Sequence, residues 1–234
     1  QAKTGEASGP HQDDGRPRLP GTMTLGQRCT LVGIAVAAYV VGFWPAWWVR
    51  DAVLGAFHHP RYEGVWILMP HMLLYGTLQA LCCLIAWRLL ASRQWMPAPR
   101  LSINRSALTW GLTLGLVSIA LVVAFFYATG QSGAFHAPTV KPWIVVANVF
   151  SNFFEEFVFR GFILAALAAA IGFWPAALLS SAAFGATHTQ YPLSLQVLIA
   201  ATAVLWAWAA RRCDGIFAPY VAHMTLDWGL DPFL

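Results

Sequence analysis

Apolar residues in this chain run unbroken for span-length stretches, separated by short polar connectors. A hydrocarbon layer about 30 Å thick is crossed by roughly 20 apolar residues of helix, and seven stretches meet or approach that length. The first runs from Cys29 to Val49, bracketed by Arg28 and Arg50 and carrying Trp44, Trp47 and Trp48 as an aromatic belt. It is too long for the apolar core of a signal peptide and is read as part of the mature protein. The second runs from Gly64 to Ala91 and tolerates Pro70 and His71; the third runs from Ala107 to Thr129. The fourth covers Thr139 to Ile171, and the fifth runs from Trp174 to His188 and closes at the turn Tyr191-Pro192. The sixth covers Leu193 to Ala210 and the seventh Ile216 to Trp228. The pattern predicts an all-α, polytopic transmembrane helix bundle of about seven spans. The length of these runs favours an α-helical bundle over a membrane barrel, whose strands are about 10 residues long and alternate in polarity. No internal repeat is evident.

Composition agrees. The chain is 58% hydrophobic and only 10% charged, against about 25% charged residues in soluble domains. Residues 1–22 differ, being rich in Gly, Pro, Asp, Arg and Gln, and are expected to form a disordered tail. The chain opens with Gln, and Met23 is an expected initiator position. The expected division is a tail over 1–22, N-terminal transmembrane helices over 23–138 and a catalytic helical core over 139–234. The net charge of +4 lies in short connectors, as topology signals do, which argues against a nucleic-acid partner. Arg88, Arg93, Arg100 and Arg105 make the second connector the most basic, so it is expected in the cytoplasm. Alternation then puts Arg211-Arg212, and the N-terminus with Arg16, Arg18 and Arg28, on the same side. The short spans and the lack of a recognisable targeting motif point to a prokaryotic inner membrane. Cys29, Cys82, Cys83 and Cys213 show no CxxC spacing and are read as structural.

One segment departs from this apolar background: Phe153-Phe154-Glu155-Glu156-Phe157-Val158-Phe159-Arg160. An ionisable side chain at mid-bilayer costs about 2.5–3.5 kcal/mol on insertion scales, so three within six residues must pair, or face a polar cavity and act there. Residues four apart share a helical face, so Glu156 and Arg160 form a structural carboxylate–guanidinium pair. Glu155, about 100° round the helix, has no local cation and is the candidate general base. The fifth span ends Phe184-Gly185-Ala186-Thr187-His188, and the last carries His223 and Asp227 on one face. A free glutamate, two histidines and an aspartate thus arise on three apolar helices. Their inward convergence would compose a water-activating hydrolytic site. Asn148 and Asn152 lie on the Glu156 face and are expected to support the site or bond between helices. His58, His59, His71 and His136 are read as loop or interface residues. Gly130-Gln131-Ser132-Gly133 spells a short serine-protease-like string, but lies in a polar connector and is read as a turn.

These motifs resemble those of the CAAX protease and bacteriocin-processing family of intramembrane glutamic proteases, which includes the type II CAAX prenyl endopeptidases. The family pattern Glu-Glu-x-x-x-Arg, then Phe-x-x-x-His, then His-x-x-x-Asn is met by Glu155, Glu156 and Arg160, by Phe184 and His188, and by His223 with Asp227. The likeness covers residues 140–230. It implies that Glu155 deprotonates water, that His188 holds that water, and that His223 with residue 227 stabilises the oxyanion. Glu156 and Arg160 would be structural. Position 227 departs from the pattern: an ionised Asp repels an oxyanion, so Asp227 is either protonated or acts by orienting His223.

The expected function is hydrolysis of a peptide bond in a membrane-associated protein or peptide within the lipid bilayer. The substrate would be a leader peptide, a C-terminal sorting anchor or a CAAX-like protein. No cofactor is expected. Two alternatives stand beside this reading: a membrane peptide-binding or scaffold protein, and an intramembrane protease dependent on zinc bound by Glu and two His.

Overall fold

The computed structural model describes residues 23–56, 65–139 and 142–233. The tail over 1–22, His58 and His59 lie outside the described residues, as do the side chains of Trp44, Trp47 and His71. Helix α1 spans Leu25–Ala56, α2 Val65–Ala91 and α3 Arg105–Ala128. After a 3-10 turn at Ser132–Ala134, α4 (Pro142–Glu156) passes through a π-helical segment (Phe157–Ile163) directly into α5 (Leu164–Ile171). Helices α6 (Phe173–Thr187), α7 (Leu193–Arg212) and α8 (Phe217–Leu230) complete the chain. With α4, the π segment and α5 taken as one rod, the described residues form seven continuous helices, as the hydropathy pattern predicts.

The boundaries differ from the predicted spans where hydrogen bonding outlasts apolarity. Helix α1 continues past Arg50 and Asp51 to Ala56, because a helix ends at a breaker and not where the apolar run stops. Gly172 is such a breaker: at φ 88° it adopts a backbone that only glycine takes freely, and it turns α5 into α6. Asn104 starts α3, its Oδ1 accepting the Ala107 N–H at 2.9 Å. By length and composition, Leu25–Phe43 within α1, α3 and α7 can each cross a membrane.

The surface is that of a bilayer protein. On α3, Leu108, Leu112, Leu116 and Leu121 face outward, while Ala107, Gly111, Leu114, Gly115 and Ser118 are buried. The inner stripe is small because α8 lies almost against the α3 backbone. A Cβ at Gly115 would sit 2.4 Å from Thr225 Cβ and 2.9 Å from the Ala222 carbonyl. One at Gly111 would sit 2.7 Å from the Ala218 carbonyl. Gly111-x-x-x-Gly115 thus seats α8 in the way that paired small residues seat membrane helices.

The basic connectors meet at one end of the bundle. Ile216 and Phe217 N–H donate to the carbonyls of Arg100 (2.9 Å) and Leu101 (3.0 Å), and Arg100 pairs with Asp214. At the other end, His136 and Thr139 N–H donate to the carbonyls of Phe233 (2.9 Å) and Pro232 (2.7 Å).

Candidate active site

Glu155 and Glu156 end α4, immediately before the π segment. Leu164 N–H donates to Phe159 O, five residues back, so one extra residue is fitted into the turn. Val158 through Ile163 are all buried. A segment buried on every side lies inside the bundle and not against lipid, which is where charged groups can be retained.

Glu156 Oε1 receives two hydrogen bonds, from Arg160 Nη1 at 3.1 Å and from His223 Nδ1 at 3.0 Å. The first is the predicted i,i+4 pair. The second joins two helices 67 positions apart and was not predicted. It fixes the His223 ring: with Nδ1 donating to the carboxylate, Nε2 is turned to the remaining acidic groups. Nε2 lies 3.9 Å from Glu155 Oε2 and 3.7 Å from Asp227 Oδ2. Both separations are too long for direct hydrogen bonds and suit a bridging water or substrate oxygen. The two glutamates differ in accessibility: the Glu155 side chain is 28% exposed and that of Glu156 is 0% exposed.

Aromatic rings wall the cluster. The Arg160 guanidinium lies 4.4 Å over the Phe184 ring and 5.5 Å from that of Trp206. Trp206 packs 4.7 Å from the His223 ring and donates its Nε1–H to Ser118 Oγ at 3.1 Å, tying α7 to α3. Phe184 stands between the two histidines, 4.8 Å from the His188 ring and 5.8 Å from His223. His188 caps α6, and its Nδ1 meets the Phe184 carbonyl at 2.9 Å. A carbonyl only accepts, so Nδ1 carries the proton and Nε2 is left as a lone-pair acceptor. Tyr191 stacks on the same ring.

Asn152 Nδ2 donates to Asp227 Oδ2 at 2.8 Å, and Asn148 Nδ2 donates to Asp231 Oδ2 at 2.7 Å. With Glu156 and His223, these form three rungs between α4 and α8: 148 with 231, 152 with 227 and 156 with 223. Each step is four residues on both helices, the spacing at which antiparallel helices present one face to each other. Sequence reasoning placed Asn148, Asn152 and Glu156 on one face, and His223 with Asp227 on another. It missed Asp231, although His223-x-x-x-Asp227-x-x-x-Asp231 carries the same period. Ser118, Trp206 and the glycine pair on α3 were also missed, and of these the Gly-x-x-x-Gly string was legible.

Among the described residues, no three His, Cys, Asp or Glu side chains are grouped as metal ligands. Cys83 and Cys213 are buried, and all four cysteines are free thiols. Ser132 opens a short 3-10 turn in the exposed connector.

Residues 137–229 match a family model described as Rce1-like, type II CAAX prenyl endopeptidase. The match spans α4 through α8 and holds every residue of the cluster except Asp231 and Ser118. No curated protein and no solved structure matches the chain.

Proposed function

We propose, from this Rce1-like core and its polar cluster, that the protein is an intramembrane endopeptidase of glutamic type. It hydrolyses a peptide bond in a membrane-associated protein or peptide. The observation that carries the reading is the placement of His223 Nε2 opposite both Glu155 and Asp227, with Nδ1 held by Glu156. Water held by His188 Nε2 gives its proton to Glu155, and its oxygen attacks the scissile carbonyl carbon. The resulting oxyanion is met by the second N–H, on Nε2, of His223 in its imidazolium form. Glu155 then returns the proton to the leaving amine as the C–N bond breaks. A single preorganised donor to an oxyanion contributes about 3–4 kcal/mol in known hydrolases.

Asp227 takes part as an acceptor in this scheme. Its Oδ2 takes the Asn152 N–H and faces His223 Nε2 at 3.7 Å, so it balances the imidazole's charge, while Glu156 on Nδ1 orients the ring as a triad carboxylate does. The expected location is a prokaryotic inner membrane with the N-terminus in the cytoplasm, following the basic connectors.

The test is processing of membrane-anchored substrates of three kinds, namely a leader peptide, a C-terminal sorting anchor and a CAAX-like terminus. Wild type and Glu155→Gln are compared, with protein level followed alongside. Loss of cleavage in Glu155→Gln at unchanged protein level supports the reading; normal cleavage by that variant sinks it. Activity removed by a chelator and restored by zinc would replace it with the zinc-dependent reading. Peptide binding with no cleavage by wild type would make the chain a binding or scaffold protein.

A further inference from the structure

A cavity of about 600 Å³ opens at the basic end of the bundle. None of Glu155, His188, His223 or Asp227 lines it; Arg160, whose charge is balanced by Glu156, does. One wall is apolar: Gly161, Leu164, Ala165 and Ala168 present one face of the π segment and α5, and Phe173 closes it from α6. The opposite rim is polar and basic, formed by Arg100 from the α2–α3 connector and Arg211 from the end of α7. Arg100 is paired with Asp214. Among the described residues Arg211 has no carboxylate partner; its guanidinium is carried 4.5 Å over the Phe173 ring and held at the mouth. The rim therefore has one positive charge in excess, in a concavity of the size of a small-molecule site.

We propose that this cavity binds the phosphate headgroup of an anionic membrane lipid, with the upper part of its acyl region against the α5 wall. Charge complementarity selects an anion. The apolar wall selects an amphiphile over a free ion, since a soluble anion would use only the arginine side and leave Leu164 and Phe173 wetted. The position fits as well: the cavity lies where α7, a helix long enough to cross a membrane, ends at Arg211-Arg212. Beside it, Trp174, Leu178 and Leu179 of α6 face outward, as residues in contact with lipid do. The proposal does not rest on the catalytic reading, although the cavity shares Arg160 with the Glu156 pair through the π segment.

The measurement is retention of phosphatidylglycerol or phosphatidylcholine by the detergent-purified full chain, read by native mass spectrometry. Variants are Arg211→Gln, Arg211→Lys and Ala168→Phe, which fills the cavity without changing charge. Each is accepted only with wild-type monodispersity and lipid-free melting temperature. Arg211 is exposed, so its two variants keep the test informative if Ala168→Phe does not fold. One arginine near a headgroup corresponds to about a fivefold change in affinity. The expected result is about fivefold weaker phosphatidylglycerol binding in Arg211→Gln and Ala168→Phe, near-wild-type binding in Arg211→Lys, and phosphatidylcholine binding equal in all. Unchanged phosphatidylglycerol binding in Arg211→Gln, or in a folded Ala168→Phe, overturns the proposal. So does displacement of the lipid by millimolar inorganic phosphate, which would make this a soluble-anion site.

Discussion

Two hydrogen bonds on one oxygen, Glu156 Oε1, give the adjacent glutamates opposite responses to substitution. Removing a fully buried carboxylate leaves Arg160 unpaired, which costs about 3–5 kcal/mol in buried ion pairs. Glu156→Ala is therefore expected to lose protein, seen as low accumulation and early thermal unfolding. Glu155 is partly exposed and lies 3.9 Å from His223 Nε2, beyond hydrogen-bond reach, so Glu155→Gln is expected to accumulate normally and to lose about 10²–10⁴-fold in turnover, the usual worth of a general base. Equal loss of protein in both variants would assign both glutamates to structure. The Asn152–Asp227 rung gives a second contrast. Asn152→Asp sets two carboxylates 2.8 Å apart and is expected to lower both melting temperature and turnover. Asn152→Asp combined with Asp227→Asn restores one amide facing one carboxylate, and should recover most of the melting temperature. A double variant no more stable than the worse single variant would show that the rung does not couple the helices. Glu156–Arg160 and His223–Asp227 were legible from sequence because a helical period fixes which neighbours share a face. Glu156–His223 was not, because no period within one helix tells which partner helix it meets.

The helices themselves were read from hydropathy, and their number held, because an apolar run bounded by charge is what a bilayer requires of a spanning helix. The π segment was invisible to that reading. Phe157–Ile163 is apolar on every side except Arg160, so neither an α nor a π turn leaves a polar stripe by which to tell the register. Helix packing left a clearer trace. Gly115 has no room for a side chain, whereas a Cβ at Gly33 of α1 meets nothing within 4 Å. Gly115→Ala must push α8 away from α3, and overpacking of this kind costs about 1–3 kcal/mol. It also displaces the helix that carries His223 and Asp227. The expected outcome is a lower melting temperature together with lost turnover in the protein that remains folded. Gly33→Ala serves as the matched control and should unfold at or slightly above the wild-type temperature, since alanine favours helix over glycine. Equal destabilisation by the two would mean that α3 and α8 do not pack through their backbones.

At the scale of the whole molecule, the polar ends of the bundle differ in charge, and this difference bears on the orientation proposed for it. Arg100, Arg211 and Arg212 gather where the α2–α3 connector lies on the α7–α8 turn. The α3–α4 connector and the C-terminus meet at the far end of α3, whose 24 residues span about 36 Å. The sequence supplied the sign of this asymmetry, and the hydrogen bonds from Ile216 and Phe217 N–H to the Arg100 and Leu101 carbonyls bring the basic segments onto one face. The orientation we propose from the positive-inside rule has Arg212 in the cytoplasm and Gly133 outside. In a Cys29→Ser background, Gly133→Cys should react with an impermeant maleimide on intact cells. Arg212→Cys should react only after lysis. Reversed labelling would invert the molecule, and labelling of both from one side would break the arrangement of the bundle itself. Helix α6 starts beside Arg211, through Phe173, and ends at His188. In the expected orientation His188 thus lies toward the outer face, and a peptide bond presented from the extracytoplasmic side would meet His188, the proposed water holder, before the buried Glu156–Arg160 pair. His188→Cys labelled from outside would support that route, and labelling only from the cytoplasm would reverse it.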